Sequence, residues 1–401
     1  MVPEKVVWVL GSGFSKPLGG PLLKDLFRRE RKVDILPFFP EREYPDLAES
    51  LPWIQLTFHN GMQEGLWENA EQFMAYVDDE FRVKRRAQMT RLINLILRSD
   101  PSVEFYQAGF YRYEPSREIA GEILHQEYRQ AMPEGFDKKV RRALASECLR
   151  FTMGADVKSE RWAPHRAWVS TLEEGKDTVI SFNYDLAVEL ASEASETGRI
   201  EVVKPRPDFR LEDLPRGRVP LLKLHGSVDW RMTIGSDSSK SLIGPNSVSR
   251  EDILRSPNDE IAIAAPGGSK AQLVDSDLGP IWGLAEQALR QATIVMVVGY
   301  SFPDTDPMAT DRLLRALESR DDGARRQIHI ILGADVNTPS SQRVVSLMTS
   351  TSNGRPLMTV RQLIAGMYGT AGLAVKQHPL GTQDFIGRHT SFLSALTTEF
   401  D

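Results

Sequence analysis

Short apolar runs recur along the chain at Val6 to Leu10, Thr178 to Phe182, Pro220 to Leu224, Ile261 to Ala265, Ile294 to Val298 and Ile328 to Leu332. Runs this short and this apolar predict strands buried on both faces, the pattern of a parallel sheet covered by helices. Helical periodicity lies between them. Asp185 to Ala194 sets Leu186, Leu190 and Ala194 on one face, and Ile281 to Ala292 does the same with Ile281, Leu284, Ala285, Ala288 and Leu289. Strand and helix alternating in this way predict an α/β fold, a doubly wound Rossmann-like parallel sheet of about six strands.

One connection breaks the rhythm. From about Leu22 to Lys176 strand character is scarce, far too long a stretch for one crossover helix, so a large helical insertion is expected after the first strand. Within it Asn69 to Phe81 is periodic, with Asn69 as N-cap and Gln72 completing a capping-box-like pair. Arg82 to Arg98 and Asp137 to Phe151 are further helix candidates. Lys204 to Pro220, with its prolines, and Gly235 to Asp259, rich in Ser, Asp and Asn, predict loops. The expected division is therefore an α/β domain from 1–21 and 176–335, an inserted helical domain at 22–175 and a C-terminal extension at 336–401. In that extension Phe385, Ile386, Phe392, Leu393 and Leu396 recur at helical spacing, a face suited to the core or to another subunit.

Composition narrows the class. A 41% hydrophobic and 26% charged chain of 401 residues matches soluble globular proteins. One cysteine, Cys148, excludes a disulfide framework and a cysteine-built zinc site. Glu4 and Lys5 interrupt the first residues, so no signal peptide is expected, no run approaches the roughly 20 residues of a membrane span, and a cytoplasmic location follows. A net charge of −6 gives no global attraction to nucleic acid. The basic clusters Lys84-Arg85-Arg86 and Lys138-Lys139 with Arg141-Arg142 are read first as solvated helix faces and second as nucleic-acid contacts.

The chemistry gathers where predicted strands end, the edge at which open α/β sheets bind ligands. Gly11-Ser12-Gly13-Phe14-Ser15 follows the first run and offers either a glycine turn that lets backbone approach a pyrophosphate or a plain strand-to-helix turn. Gly299-Tyr300-Ser301 is a second phosphate candidate, and in the loop behind it Asp304 or Asp306 is placed to cap a helix beginning near Pro307. Asn183 and Asp185, in Phe182-Asn183-Tyr184-Asp185, are either helix caps or site residues. His225, in Leu224-His225-Gly226-Ser227, is either a packed histidine or a proton acceptor. Trp230 is read as a packed aromatic and Lys223 as a strand residue facing solvent.

Three strand ends carrying these residues together resemble the Sir2-like proteins, and within them the bacterial Sir2-like NAD hydrolases of antiviral defence. The sirtuin Gly-Ala-Gly-x-Ser and Gly-Ile-Pro are similar to Gly11-Ser12-Gly13-Phe14-Ser15 and Gly19-Gly20-Pro21. Gln-Asn-x-Asp is similar to Phe182-Asn183-Tyr184-Asp185, His-Gly to His225-Gly226, and Gly-Thr-Ser to Gly299-Tyr300-Ser301. Departures point the same way: the four-cysteine zinc ribbon is missing, Leu22-Leu23-Lys24 stands where deacylases have Asp-Phe-Arg, and Phe182 replaces their glutamine. Ala265-Pro266 with Lys270 also resembles the hydrolase branch.

The resemblance implies NAD as substrate, no metal, and cleavage of the nicotinamide–ribose bond. It implies catalytic roles for Asn183, His225 and Asp185, and NAD contacts from Gly11, Ser12, Gly13, Phe14, Ser15, Pro21, Gly226, Ser227, Gly299, Tyr300 and Ser301, with Asp335 a candidate for the adenosine ribose. Nicotinamide leaves as a neutral base, so little general acid is needed, unlike ordinary glycosides with their paired carboxylates. The alternatives are a deacylase or ADP-ribosyltransferase, told apart by modification of an acceptor, and a non-catalytic NAD or ADP-ribose sensor, told apart by binding without turnover. An enzyme that destroys NAD needs a gate, for which a homo-oligomer is expected, and the resemblance to stand-alone Sir2-like proteins implies a HerA-type ATPase or Argonaute-like partner, with no membrane role.

Overall fold

A computed structural model describes residues 4–22, 26–27, 44–63, 65, 67–83, 136–234, 240–243, 261–265, 273–274, 277–303, 306–318, 326–350, 373–379, 382 and 384–386. The helical pattern and basic run from Lys84 to Arg98, the loop residues 244–259, Pro266, Lys270, Asp304 and the tail beyond Ile386 lie outside them. In chain order the strands are β1 (Val6–Leu10), β2 (Asp177–Ser181), β3 (Ile200–Val202), β4 (Val219–Lys223), β5 (Gly226–Ile234), β6 (Lys240–Ile243), β7 (Ile261–Ile263), β8 (Ile294–Val298), β9 (Arg326–Gly333) and β10 (Leu373–Pro379). The longer helices are α1 (Pro45–Gln63), α2 (Ala70–Val83), α3 (Phe136–Arg150), α4 (Ala163–Thr171), α5 (Ala187–Glu193), α6 (Gly279–Gln291), α7 (Pro307–Glu318) and α8 (Pro339–Ser350).

The described chain divides into two compact units, one of residues 1–20, 154–227 and 274–401, the other of 21–153 and 228–273. The first holds a seven-stranded sheet in the order β10-β9-β8-β1-β2-β4-β3. All neighbouring pairs in it are parallel. This is the Rossmann-like α/β architecture expected from the alternation of apolar runs and amphipathic segments. β1 and β8 are buried at every position, as their β-branched, unbroken apolarity requires. On α6, Ile281, Leu284, Ala285, Ala288 and Leu289 are buried, the face that the 3.6-residue period marks out. Pro at the first turn opens α6, and Pro307 and Pro339 open α7 and α8.

Topology sets where a ligand fits. From the central β1 the chain builds β2, β3 and β4 to one side, then returns to build β8, β9 and β10 on the other. The switch point lies between β1 and β8, and the crevice outside the carboxyl ends of those strands is where such sheets bind ligands. Register puts Leu10 level with Ser181 and with Val298, and Ser181 level with Lys223. Gly11, Phe182, Leu224 and Gly299 therefore leave the sheet side by side.

The expected strand at Ile261 to Ala265 forms, but as β7 of a separate three-stranded sheet, ordered β6-β5-β7, in the second unit. An apolar run signals burial without saying which sheet provides it. β6 also interrupts the segment predicted as loop, pairing antiparallel with β5. In the second unit Phe27, Phe58, Phe73 and Trp67 form an aromatic core, with the Phe27, Phe58 and Phe73 rings 5.6–5.9 Å apart. Asn69 caps α2 as expected, accepting from the N–H groups of Glu71 and Gln72, while the Gln72 side chain reaches back to the Glu68 N–H instead of that of Asn69. Trp230 is fully buried, as a packed aromatic. Arg142, expected on a solvated face of α3, is buried too. No helix among the described residues is long and apolar enough to cross a membrane.

Candidate functional site

The two glycine turns pack directly on one another. The Gly13 N–H donates to the Gly299 carbonyl at 3.1 Å and the Gly11 N–H to the Val298 carbonyl at 3.1 Å. A Cβ on Gly11 would stand 2.5 Å from Tyr300 Cα, and one on Gly299 would stand 2.5 Å from the Phe14 nitrogen. Gly299 also has φ +69°, which L side chains adopt at a cost. The glycines thus let β1 and β8 end in close backbone contact. Two of the N–H groups at the start of the helical turn Ser12–Ser15 are used within the protein, since Phe14 donates to the Gly11 carbonyl while Gly13 bonds Gly299.

Asn183 stitches β2 to the first turn. Its Nδ2 donates to the Gly11 carbonyl at 2.9 Å and to Ser15 Oγ at 3.1 Å, and its backbone N–H reaches Ser181 Oγ at 3.1 Å. With the amide protons committed, what remains of the side chain for a ligand is the acceptor oxygen. Ser15 in turn hydrogen-bonds the Asp185 carboxylate. Asp185 Oδ1 also accepts from the Ala187 N–H at 3.0 Å, so it does cap α5. Burial pushes the Asp185 carboxyl above the usual carboxylate range, against the opposing pull of the Lys223 charge and these hydrogen bonds.

Lys223 corrects its sequence expectation. Instead of facing solvent it is 1% exposed, donating to the Asp185 carbonyl and pairing with Glu189 Oε1 at 2.7 Å. The charge that the buried Asp185 backbone and Glu189 need is supplied from the adjoining strand end, a tertiary demand that period alone does not reveal.

His225 follows β4 and is buried. Its Nε2 stands 3.0 Å from Oδ2 of Asp306, itself 2% exposed. The ring is walled by aromatics: Phe182 edge-on at 4.9 Å, Tyr184 at 6.0 Å and Trp282 at 6.4 Å between centroids. Phe182 stacks on Tyr300 at 4.0 Å with planes 6° apart, joining the β2 and β8 ends. Asp306 also caps α7, with the Ala309 N–H 3.4 Å from its Oδ1. Sequence reasoning found Asp306 as a cap and missed it as the partner of His225; a local hydrogen bond is legible in spacing, and a contact with a distant strand end is not.

The remaining candidates divide. Gly226 has φ +76° and Ser227, fully buried, approaches the Tyr184 carbonyl at 3.4 Å. The Ser301 carbonyl accepts from Arg343 Nη2 at 2.7 Å. Ser12 opens the helical turn and its carbonyl accepts from the Lys16 N–H. Asp335 is exposed and accepts from the Asn337 N–H at 2.9 Å, a local turn ahead of α8. Pro21 is the first residue of the second unit. Beneath the first turn His165, fully buried, meets the Phe14 carbonyl at 3.0 Å. Burial pulls its imidazole down from 6.5 to about 4, so it stays neutral.

Fold and site together define an open parallel α/β domain with a polar, strongly buried cluster at its switch point, the class that handles nucleotides. Residues 177–349, from β2 through most of α8, match the family model described as SIR2-like domain. Sir2-like domains are in general NAD-dependent enzymes, and the match ties this segment to NAD-related function in that general sense. The matched span carries Asn183, Asp185, His225, Gly299 and Asp306, while the glycine turn at Gly11 is brought beside it by β1. A search of curated proteins finds no match to this chain.

Proposed function

We propose that the chain hydrolyses NAD at the nicotinamide–ribose bond, giving nicotinamide and ADP-ribose. The observation that carries this reading is the convergence of Asn183 and His225 with both glycine turns at four level strand ends. The two turns and the crevice above them suit the pyrophosphate. The Asn183 oxygen, its amide held by Gly11 and Ser15, orients the ribose or the attacking water. His225 takes a proton from that water as its oxygen bonds to the anomeric carbon; the C–N electron pair leaves with nicotinamide, which becomes neutral. Asp185 fixes the Ser15 hydroxyl and the start of α5.

The biological reading is depletion of NAD in bacterial anti-phage defence, in the cytoplasm. Gating comes through a homo-oligomer or through a HerA-type ATPase or Argonaute-like partner. The test incubates NAD with the purified protein, alone and with such a partner, and resolves the products chromatographically. Asn183→Ala and His225→Ala each lower turnover at least ~100-fold. Turnover unchanged in both variants overturns the site assignment; modification of an added acceptor protein overturns hydrolysis in favour of transfer.

A further inference from the structure

We propose that Asp306 is a positioning residue for His225, its carboxylate set against Nε2 to stabilise the cation formed when the ring takes a proton. The inference rests on the reading of His225 as the proton acceptor in NAD hydrolysis, and adds to it a residue that the Gly-x-Ser resemblance does not reach.

Two observations support it. Nε2 and Oδ2 are 3.0 Å apart with both side chains buried, 7% and 2% exposed, so solvent screens the pair little. The two atoms meet outside hydrogen-bond geometry, so the carboxylate acts on the ring through its charge. Finally, Asp306 is held from both sides. Its backbone N–H donates to the Pro303 carbonyl at 2.9 Å, and its carbonyl and Oδ1 accept from the Thr310 and Ala309 N–H groups at the start of α7.

Backbone geometry is spent on this placement. Phe302, four residues before Asp306, has φ +48°, an unusual conformation for an aromatic residue, and the backbone bends there. Phe302 is buried with its ring 4.6 Å from Tyr300, which anchors the bend. The ring of His225 lies among Phe182, Tyr184 and Trp282, with the Asp306 carboxylate in contact. Among the described residues, other titratable groups nearby are the Tyr184 phenol, Lys223 two residues earlier with its partners Asp185 and Glu189, and Arg312, whose guanidinium stacks on Trp282 at 4.6 Å and pairs with Glu286.

During hydrolysis one water proton moves to His225, the water oxygen joins the anomeric carbon, and nicotinamide departs with the bond electrons. The imidazolium so formed faces the Asp306 carboxylate and later returns its proton to solvent. Without that carboxylate the ring is a weaker base in an apolar setting.

The experiment uses the full chain, labelled with 15N at histidine, and follows ring shifts through pH; the His225 signal is the one lost in His225→Gln. Asp306→Asn keeps a capping side chain for α7 and removes the charge. The expected result is a His225 pKa lower by at least ~1 in the variant than in the wild type. Turnover of NAD falls ~10-fold or more in kcat with KM within about two-fold, and the acid limb of the pH profile moves to lower pH by the same interval as the ring. An unmoved His225 pKa in Asp306→Asn overturns the proposal. Should Asp306→Asn not fold, the wild-type ring decides, because a His225 pKa well below the ordinary value of about 6.5, as burial alone gives, overturns it too. If the wild type leaves NAD intact, the functional reading fails, while the ring spectra still decide the role of Asp306.

Discussion

Replacing Gly299 with alanine tests whether the two glycine turns are locked together. The new Cβ would meet the Phe14 nitrogen at 2.5 Å and the Gly13 C and Cα at 2.6 Å, all backbone atoms that have no rotamer to yield. Overpacking of this kind costs about 1–3 kcal/mol. Holding alanine at φ +69° adds about 1–2 kcal/mol. The sum, about 2–5 kcal/mol, falls on the sheet unit alone, so hydrogen exchange read on peptides covering β1 and β8 is a better measure than a global melt. Protection there falls roughly 30-fold or more. Gly283→Ala supplies the contrast, because that glycine lies within α6 with nothing inside 4 Å of the added carbon. It gains up to about 1 kcal/mol from helix propensity. Protection in Gly299→Ala within about three-fold of wild type refutes the argument that these turns are held in contact.

His165 is neutral in both folded and unfolded chains above pH 6.5. As pH falls the unfolded chain takes the proton first, since burial holds the folded imidazole at about 4. About 3 kcal/mol of stability is therefore lost between pH 6.5 and pH 4, and urea midpoints across that window lose that slope in His165→Gln; equal slopes contradict the assignment. Arg326→Met strips the carbonyls of Leu289, Arg290, Ala292 and Leu317 of a shared donor and costs about 3–5 kcal/mol; a denaturation midpoint unchanged from wild type counts against it. Asn183→Asp turns a donor facing the Gly11 carbonyl into an acceptor beside the buried Asp185. It therefore melts below Asn183→Ala at neutral pH and recovers as acid protonates the new carboxyl, whereas the reverse order denies that Nδ2 holds the turn.

The interior of the sheet was readable because its strands are apolar on both faces, and a buried parallel strand has no other way to be written. Its margins were not. Ile200–Val202 is too short for a pattern, and Leu373–Pro379 mixes Lys, Gln and His among its apolar residues, as strands at the two ends of the sheet order are free to do. The site was legible as residue types at strand ends, since Asn183, His225 and both glycine turns do leave the sheet level with one another. Which atoms remain for chemistry was not legible. That Nδ2 of Asn183 is committed to Gly11, that Lys223 turns inward to Glu189, and that Asp306 meets His225 are facts of tertiary packing.

Buried charge occurs at both edges of this sheet, and the two edges differ in what that charge is bonded to. At the amino edge Arg326 opens β9 and Asp177 opens β2. Arg326 spends its guanidinium on carbonyls around the carboxyl ends of α6 and α7, and Asp177 accepts from Trp8 Nε1 and the Glu173 N–H, each at 2.8 Å. These groups complete backbone ends and have a structural reason to be charged. At the carboxyl edge Asp185, Lys223, Glu189, His225 and Asp306 gather within a few residues of four strand ends, and a plain core would place apolar side chains there at less cost. Capping accounts for one oxygen of Asp185 and one of Asp306. It does not account for an imidazole against the other oxygen of Asp306. Desolvated charge beyond the needs of capping, at the edge where sheets of this kind bind ligands, is what the proposed role of His225 requires, and the groups at the other edge complete backbone ends.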